Sequence, residues 1–159
     1  MMRSDTEIRR QQIIGAAIKA LADIGLVEFT FSEVAARANV SAGLVVHYFG
    51  DKETLLEAAF RSVVRRLNNH AIARLRVAEG PRARIEALIE AHLGHNEFAE
   101  DIARVWLSFW GQALQAPQLA RVQRAHQQRM LSNLRFDLRK LVDASEVGKL
   151  AEAIASMID

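Results

Sequence analysis

Residues 30–56, TFSEVAARANVSAGLVVHYFGDKETLL from Thr30 to Leu56, read as three short helices joined by tight turns. Thr30 occupies an N-cap position with Glu33 three residues on, the spacing of a capping box. The helix it opens carries Val34 and Ala35 inward and stops near Ala38 and Asn39. Ser41 caps the next one, because its hydroxyl can accept an orphan backbone N–H at a helix start. Val45 and Phe49 lie four apart and share that helix's inner face. Asp51 caps the third helix.

Two helical turns, a turn at a serine and two more helical turns make the layout of a helix-turn-helix, whose second helix lies in the DNA major groove. Val45 and Phe49 belong to the core of such a unit, so Ala42, Gly43, Leu44, Val46, His47 and Tyr48 are left for the outer face. Gly43 costs about 1 kcal/mol relative to Ala inside a helix, which is consistent with close backbone approach to DNA. No Arg, Lys, Asn or Gln lies between Ser41 and Phe49, so two-point readout of guanine or adenine is not expected from this helix. Apolar contacts to thymine methyls from Leu44 and Val46, together with DNA shape, are expected instead. The alternative is that Leu44 and Val46 are simply core.

The run Val40-Ser41-x-Gly43-x-x-x-His47-Tyr48-Phe49, followed by Asp51-Lys52-x-x-Leu55-Leu56, resembles the DNA-binding domain of the TetR family of repressors over roughly residues 7–60. The resemblance implies DNA-backbone contacts at Thr30, Ser32, Ser41, His47, Tyr48 and Lys52. Hydroxyls, a His, a Lys and helix N-termini all suit phosphate oxygens. Tyr48 can equally pack its ring inward.

Composition alone would not have pointed to nucleic acid. Net charge is only +2, and residues 1–52 hold six Arg and Lys against six Asp and Glu. Any basic patch must come from placement, as with Arg3, Arg9 and Arg10 near the start. Cysteine is absent, which excludes disulfides and thiol catalysis and fits a reducing cytoplasm. The N-terminus is polar, so no signal peptide is expected, and no apolar run is long enough to span a membrane. Strand-like alternation is missing, and the expected fold is all-α.

A first helix is expected over about 7–24, with Ile14, Ala17, Ile18 and Leu21 inward and Gly25 ending it. The helix opened at Asp51 keeps its period through Leu56, Ala59, Phe60, Val63 and Leu67 to about Ala78, roughly 40 Å. It can act as a lever between head and body. Residues 1–52 are assigned to the DNA-binding domain and 53–159 to a helical ligand-binding and dimerisation domain. Further helices are expected over about 82–98, 101–115 and 117–141, and from 145 to 159 with Val147, Leu150, Ala151, Ile154 and Ile158 inward.

Three features of the body carry possible chemistry. His92 and His95 are three apart with Glu97 near, but two His do not make a metal site, and a core or hydrogen-bonded role is the plainer reading. Trp106, Phe109 and Trp110 sit at i, i+3 and i+4, either as ordinary aromatic core or as a box for a cationic ligand. With no Cys, Glu-x-x-His pair or phosphate loop, neither catalysis nor a cofactor is expected. An adaptor that binds no DNA is the other class to weigh, since the head is neutral.

Trp106-Leu107-x-Phe109-Trp110, Pro117-x-Leu119-x-Arg121-x-Gln123-Arg124 and Arg129-x-x-Ser132-Asn133-Leu134 together resemble the choline-responsive BetI branch of TetR. That branch represses genes for making glycine betaine from choline. The resemblance implies a homodimer on an operator, with choline held by Trp106, Phe109 or Trp110 and an acid such as Glu86, Glu90 or Glu97. An apolar effector is the alternative. TetR-type bodies usually continue beyond the helix that starts near 145, so this chain is expected to end inside the dimerisation element.

Overall fold

Eight α-helices and no strand lie within residues 5–93, 99–113 and 116–158, which the computed structural model describes. They fall into two compact units. The first gathers the chain up to Val63 together with Glu100–Ala120, and the second gathers Val64–Ala99 with the chain from Arg121 onward.

The first unit holds α1 (Asp5–Ile24), α2 (Phe31–Ala38), α3 (Ala42–Phe49), the start of α4 (Lys52–Val77) and nearly all of α6 (Ala99–Ala113). Ile14, Ala17, Ile18 and Leu21 are buried along α1, as their spacing predicts, and Gly25 follows in the left-handed region at φ 69°. Leu56, Ala59, Phe60 and Val63 form the matching stripe on α4. Phe109 of α6 packs on Phe60 with ring centroids 4.3 Å apart, and neither ring is solvated. Burying a Phe contributes about 1.5–3 kcal/mol, which explains why α6 joins this unit despite its distance in sequence. The division between the two units falls inside α4, at Val63 and Val64.

The second unit is built from the rest of α4, α5 (Gly80–Leu93), most of α7 (Pro117–Leu138) and α8 (Ala144–Ile158). Leu88, Met130, Leu134, Leu138, Val147 and Ala151 make its core. Pro117 opens α7, where its missing N–H is no loss, and Ala116 accepts from Leu119 and Ala120. Asp137 is fully buried near the end of α7. Arg84 Nε donates to both its carboxylate oxygens, at 2.9 and 3.0 Å, and Arg84 Nη1 donates to the Leu75 carbonyl at 3.1 Å. One guanidinium thereby ties α5 to the ends of α7 and α4.

Two expectations need correction here. The seventh helix stops at Leu138 and not at 141, because the N–H groups of Lys140 and Leu141 bond three residues back, to Asp137 and Leu138, in a tighter turn. Leu150 is exposed, not inward, and Ala155 takes the buried place. Leu150 shares its outward face with Met157, seven residues on. The expected end of the fifth helix, with His95 and Glu97, lies outside the described residues.

Candidate nucleic-acid interface

Local hydrogen bonds set the geometry of α2 and α3. Thr30 has an extended backbone, and its Oγ1 accepts from the Glu33 N–H at 3.2 Å. The Glu33 carboxylate is taken by Arg37, which also reaches Asp23 at 3.5 Å, so α2 is latched to the end of α1. Asn39 turns the chain with φ 53°, a conformation Asn tolerates better than most residues, while its N–H and that of Val40 close on the last turn of α2. Ser41 Oγ then accepts from the Leu44 N–H at 3.2 Å and starts α3.

Val45 and Phe49 are buried, which fixes the rotation of α3. Gly43, Val46 and His47 are consequently exposed, while Ala42, Leu44 and Tyr48 are half-buried. Val46 is therefore not core. The Tyr48 ring lies edge-on to His47 at 5.7 Å and against Phe49 at 6.4 Å. Thr30, Ser32 and Ser41 are all exposed. A Cβ added to Gly43 would meet only Ser41 Oγ at 4.0 Å, ordinary van der Waals contact. Nothing within the fold requires glycine there.

Several cations of this unit already have partners within the fold. Lys52 Nζ donates to the Leu26 carbonyl at 3.3 Å and lies 5.6 Å from the centre of the Phe29 ring. The Arg10 guanidinium lies 5.2 Å from the centre of the Phe49 ring, and Arg9 donates to Gln12. Arg3 is outside the described residues. Asp51 caps α4 by accepting from the Thr54 N–H at 2.7 Å, and the Thr54 backbone and side-chain hydrogen bonds hold its carboxyl below the usual carboxylate range. Sequence reasoning missed the Arg37 latch and the Arg10–Phe49 stack. The i, i+4 spacing of Glu33 and Arg37 was a usable signal for the first, but nothing local foretold the second.

On α6, Trp106 is half-buried and edge-on to Phe109 at 5.1 Å, whereas Trp110 is 40% exposed. Phe109 itself is enclosed against Phe60. The acids Glu86 and Glu90 are paired with Arg82 and Arg74.

Capped α2 and α3, with a buried inner face and an open outer one, define a helix-turn-helix protein. Residues 13–59 match the profile of bacterial regulatory proteins of the tetR family, and residues 81–159 match that of the BetI-type transcriptional repressor C-terminal domain. The HTH-type transcriptional regulator BetI of Stenotrophomonas maltophilia (strain R551-3) is 38% identical over 154 residues, covering 96% of this chain and 78% of the relative. A crystal structure of a transcriptional regulator from Rhodococcus sp. Rha1 superposes with TM-score 0.82 at 27% identity, covering 94% of this chain and 79% of that one. A putative transcriptional regulator from Saccharomonospora viridis, solved in complex with choline, has the same fold at TM-score 0.84 and 22% identity, covering 98% and 83%. The chain belongs to the TetR family of DNA-binding transcriptional regulators, with a C-terminal domain of the BetI type. It is a regulator and not an enzyme. Among the described residues no helix is long and apolar enough to cross a membrane.

Proposed function

We propose that the chain acts as a homodimeric, cytoplasmic repressor of glycine betaine synthesis genes, released from its operator by choline. The observation that carries the DNA half is Gly43, exposed at the start of α3 and unneeded by the fold. In this reading Ala42, Gly43, Leu44 and Val46 meet base edges, while Thr30, Ser32, Ser41, His47, Tyr48 and Lys52 meet the backbone. Lys52 would have to leave Leu26 to do so. Gly43→Ala should raise folding stability by up to about 1 kcal/mol and still weaken operator binding. Denaturant melts and binding titrations on one sample check both signs. Unchanged affinity would remove Gly43 from the interface.

The exposed face of Leu150 and Met157 supports a second copy packed on α8. For choline, Trp106 and Trp110 supply the aromatic faces that attract quaternary ammonium, and buried Phe109 holds Trp106 edge-on. Relief of repression then depends on choline preferring one conformation over the other, with a typical coupling of ~1–3 kcal/mol, or 5–150-fold in operator affinity.

Fluorescence anisotropy on the chain's own upstream DNA, with and without millimolar choline, tests the whole. Binding that choline reverses is the expected result, and the Trp106→Leu, Trp110→Leu double variant should bind DNA but ignore choline. Binding indifferent to choline would leave a repressor with another effector. An apolar one is favoured by Leu107 and Trp110, exposed three residues apart on α6.

A further inference from the structure

Arg10 lies on the inner side of α1. It precedes Ile14, Ala17 and Leu21 by four, seven and eleven residues, so it extends the buried stripe of that helix by one turn. Arg9, one residue earlier, is exposed, whereas Arg10 is half-buried. A cation placed there needs a partner that the core can supply. It meets the ring of Phe49, the last residue of α3, with the guanidinium carbon 5.2 Å from the ring centre. A flat guanidinium over an aromatic ring gains from both charge and stacking.

Phe49 is one of two anchors that aim α3. Val45 is buried one turn before it, and both must stay down for this eight-residue helix to keep its direction. Val46 and His47 lie between the anchors and are exposed. The end caps do not set that direction. Ser41 Oγ accepts from the Leu44 N–H, and the Gly50 N–H donates to the Val46 carbonyl, so both bonds close on α3 itself. They fix where the helix starts and stops, while Arg10 reaches its far end from α1.

We propose that Arg10 is a positioning residue for DNA reading: it holds Phe49 down, and so keeps Val46 and His47 aimed outward, without itself touching DNA. This rests on the helix-turn-helix reading of α3, and it departs from the phosphate contact that an arginine so near the start of the chain would suggest. If the stack is lost, α3 spends part of its time in other orientations, and apparent affinity for a specific site falls with the fraction still correctly aimed. Sequence-independent attraction to phosphates does not depend on that aim.

The test compares wild type, Arg10→Ala and Arg10→Lys on the chain's own upstream DNA and on random DNA of equal length, each over a range of salt. Arg10→Ala should bind the upstream DNA about tenfold more weakly, the size of effect one cation–aromatic contact carries. Binding to random DNA and the salt dependence of both should stay as in the wild type. Arg10→Lys should also lose upstream affinity, because its ammonium keeps the charge but not the flat stack. A phosphate contact predicts the reverse: both DNAs weaken together in Arg10→Ala, the log–log salt slope becomes shallower by about 0.9, and Lys restores binding. Any of those three results would overturn the proposal. If Arg10→Ala does not fold, Arg10→Lys decides by the same readings. Amide hydrogen exchange without DNA gives a second measure: loss of the stack should speed exchange along α3 by about tenfold and leave α1 as it was. Unchanged exchange in α3 would also overturn the proposal. A wild type that prefers its upstream DNA no more than random DNA would instead remove the DNA reading, with exchange still deciding whether Arg10 holds α3.

Discussion

Replacing Arg84 with Ala should destabilise the second unit by about 3–5 kcal/mol, a large share of what holds a small domain together. The reason is Asp137, whose carboxylate is fully buried and receives two hydrogen bonds from Arg84 Nε. Removing the guanidinium leaves that charge in a low-dielectric site with Lys140 Nζ, 4.0 Å away, as its remaining cation. It also frees the Leu75 carbonyl at the end of α4. Lys140 should keep the loss toward the lower end. The pair need not itself be a net source of stability, because bringing both charges out of water offsets much of their attraction. Replacing both partners together, Arg84→Met with Asp137→Leu, should therefore cost less than Arg84→Ala alone. Urea unfolding of the three proteins checks this order. A single-variant loss below about 1 kcal/mol would mean that water or Lys140 already satisfies Asp137.

Acid should act on the same unit through His126. Burial, the His92 ring and the Arg129 guanidinium together lower its pKa to about 4. The unfolded chain then binds a proton at this site between about pH 6.5 and about pH 4, while the folded one does not. Stability from this group is present above pH 6.5 and falls with pH through that window, reaching a loss of about 3 kcal/mol near pH 4. Carboxylates add their own losses at the lower end, so the measurement is a difference. Unfolding free energies at pH 7 and pH 4 should diverge more in the wild type than in His126→Gln, by about that amount. Parallel pH profiles for the two proteins would show that the folded protein takes up the proton at His126 without penalty.

How much of this was readable beforehand depends on distance along the chain. The head was legible because its signals are local: Thr30, Ser41 and Asp51 each cap a helix whose first N–H groups lie within three residues. The burial of Val45 and Phe49 follows from their spacing, and that alone turns Val46 and His47 outward. The aromatic run on α6 was visible as a pattern, yet its division into buried Phe109 and exposed Trp110 depends on where Phe60 lies, and α4 is far off in sequence. Leu150 misled because an apolar side chain at a helical period looks the same whether it faces its own core or solvent. Arg84 and Asp137, 53 residues apart, left no sequence signal at all.

The first unit is made of two stretches of chain, residues up to Val63 and Glu100–Ala120, with part of the other unit synthesised between them. A ribosome therefore releases α3 well before the ring that covers Phe60 exists. Until Phe109 emerges, that aromatic surface faces water or a chaperone. By the same token, a fragment cut after Val63 keeps every candidate DNA contact named above but loses the floor beneath α4. The packing around Phe60 is completed only by a helix made almost two-thirds of the way down the chain.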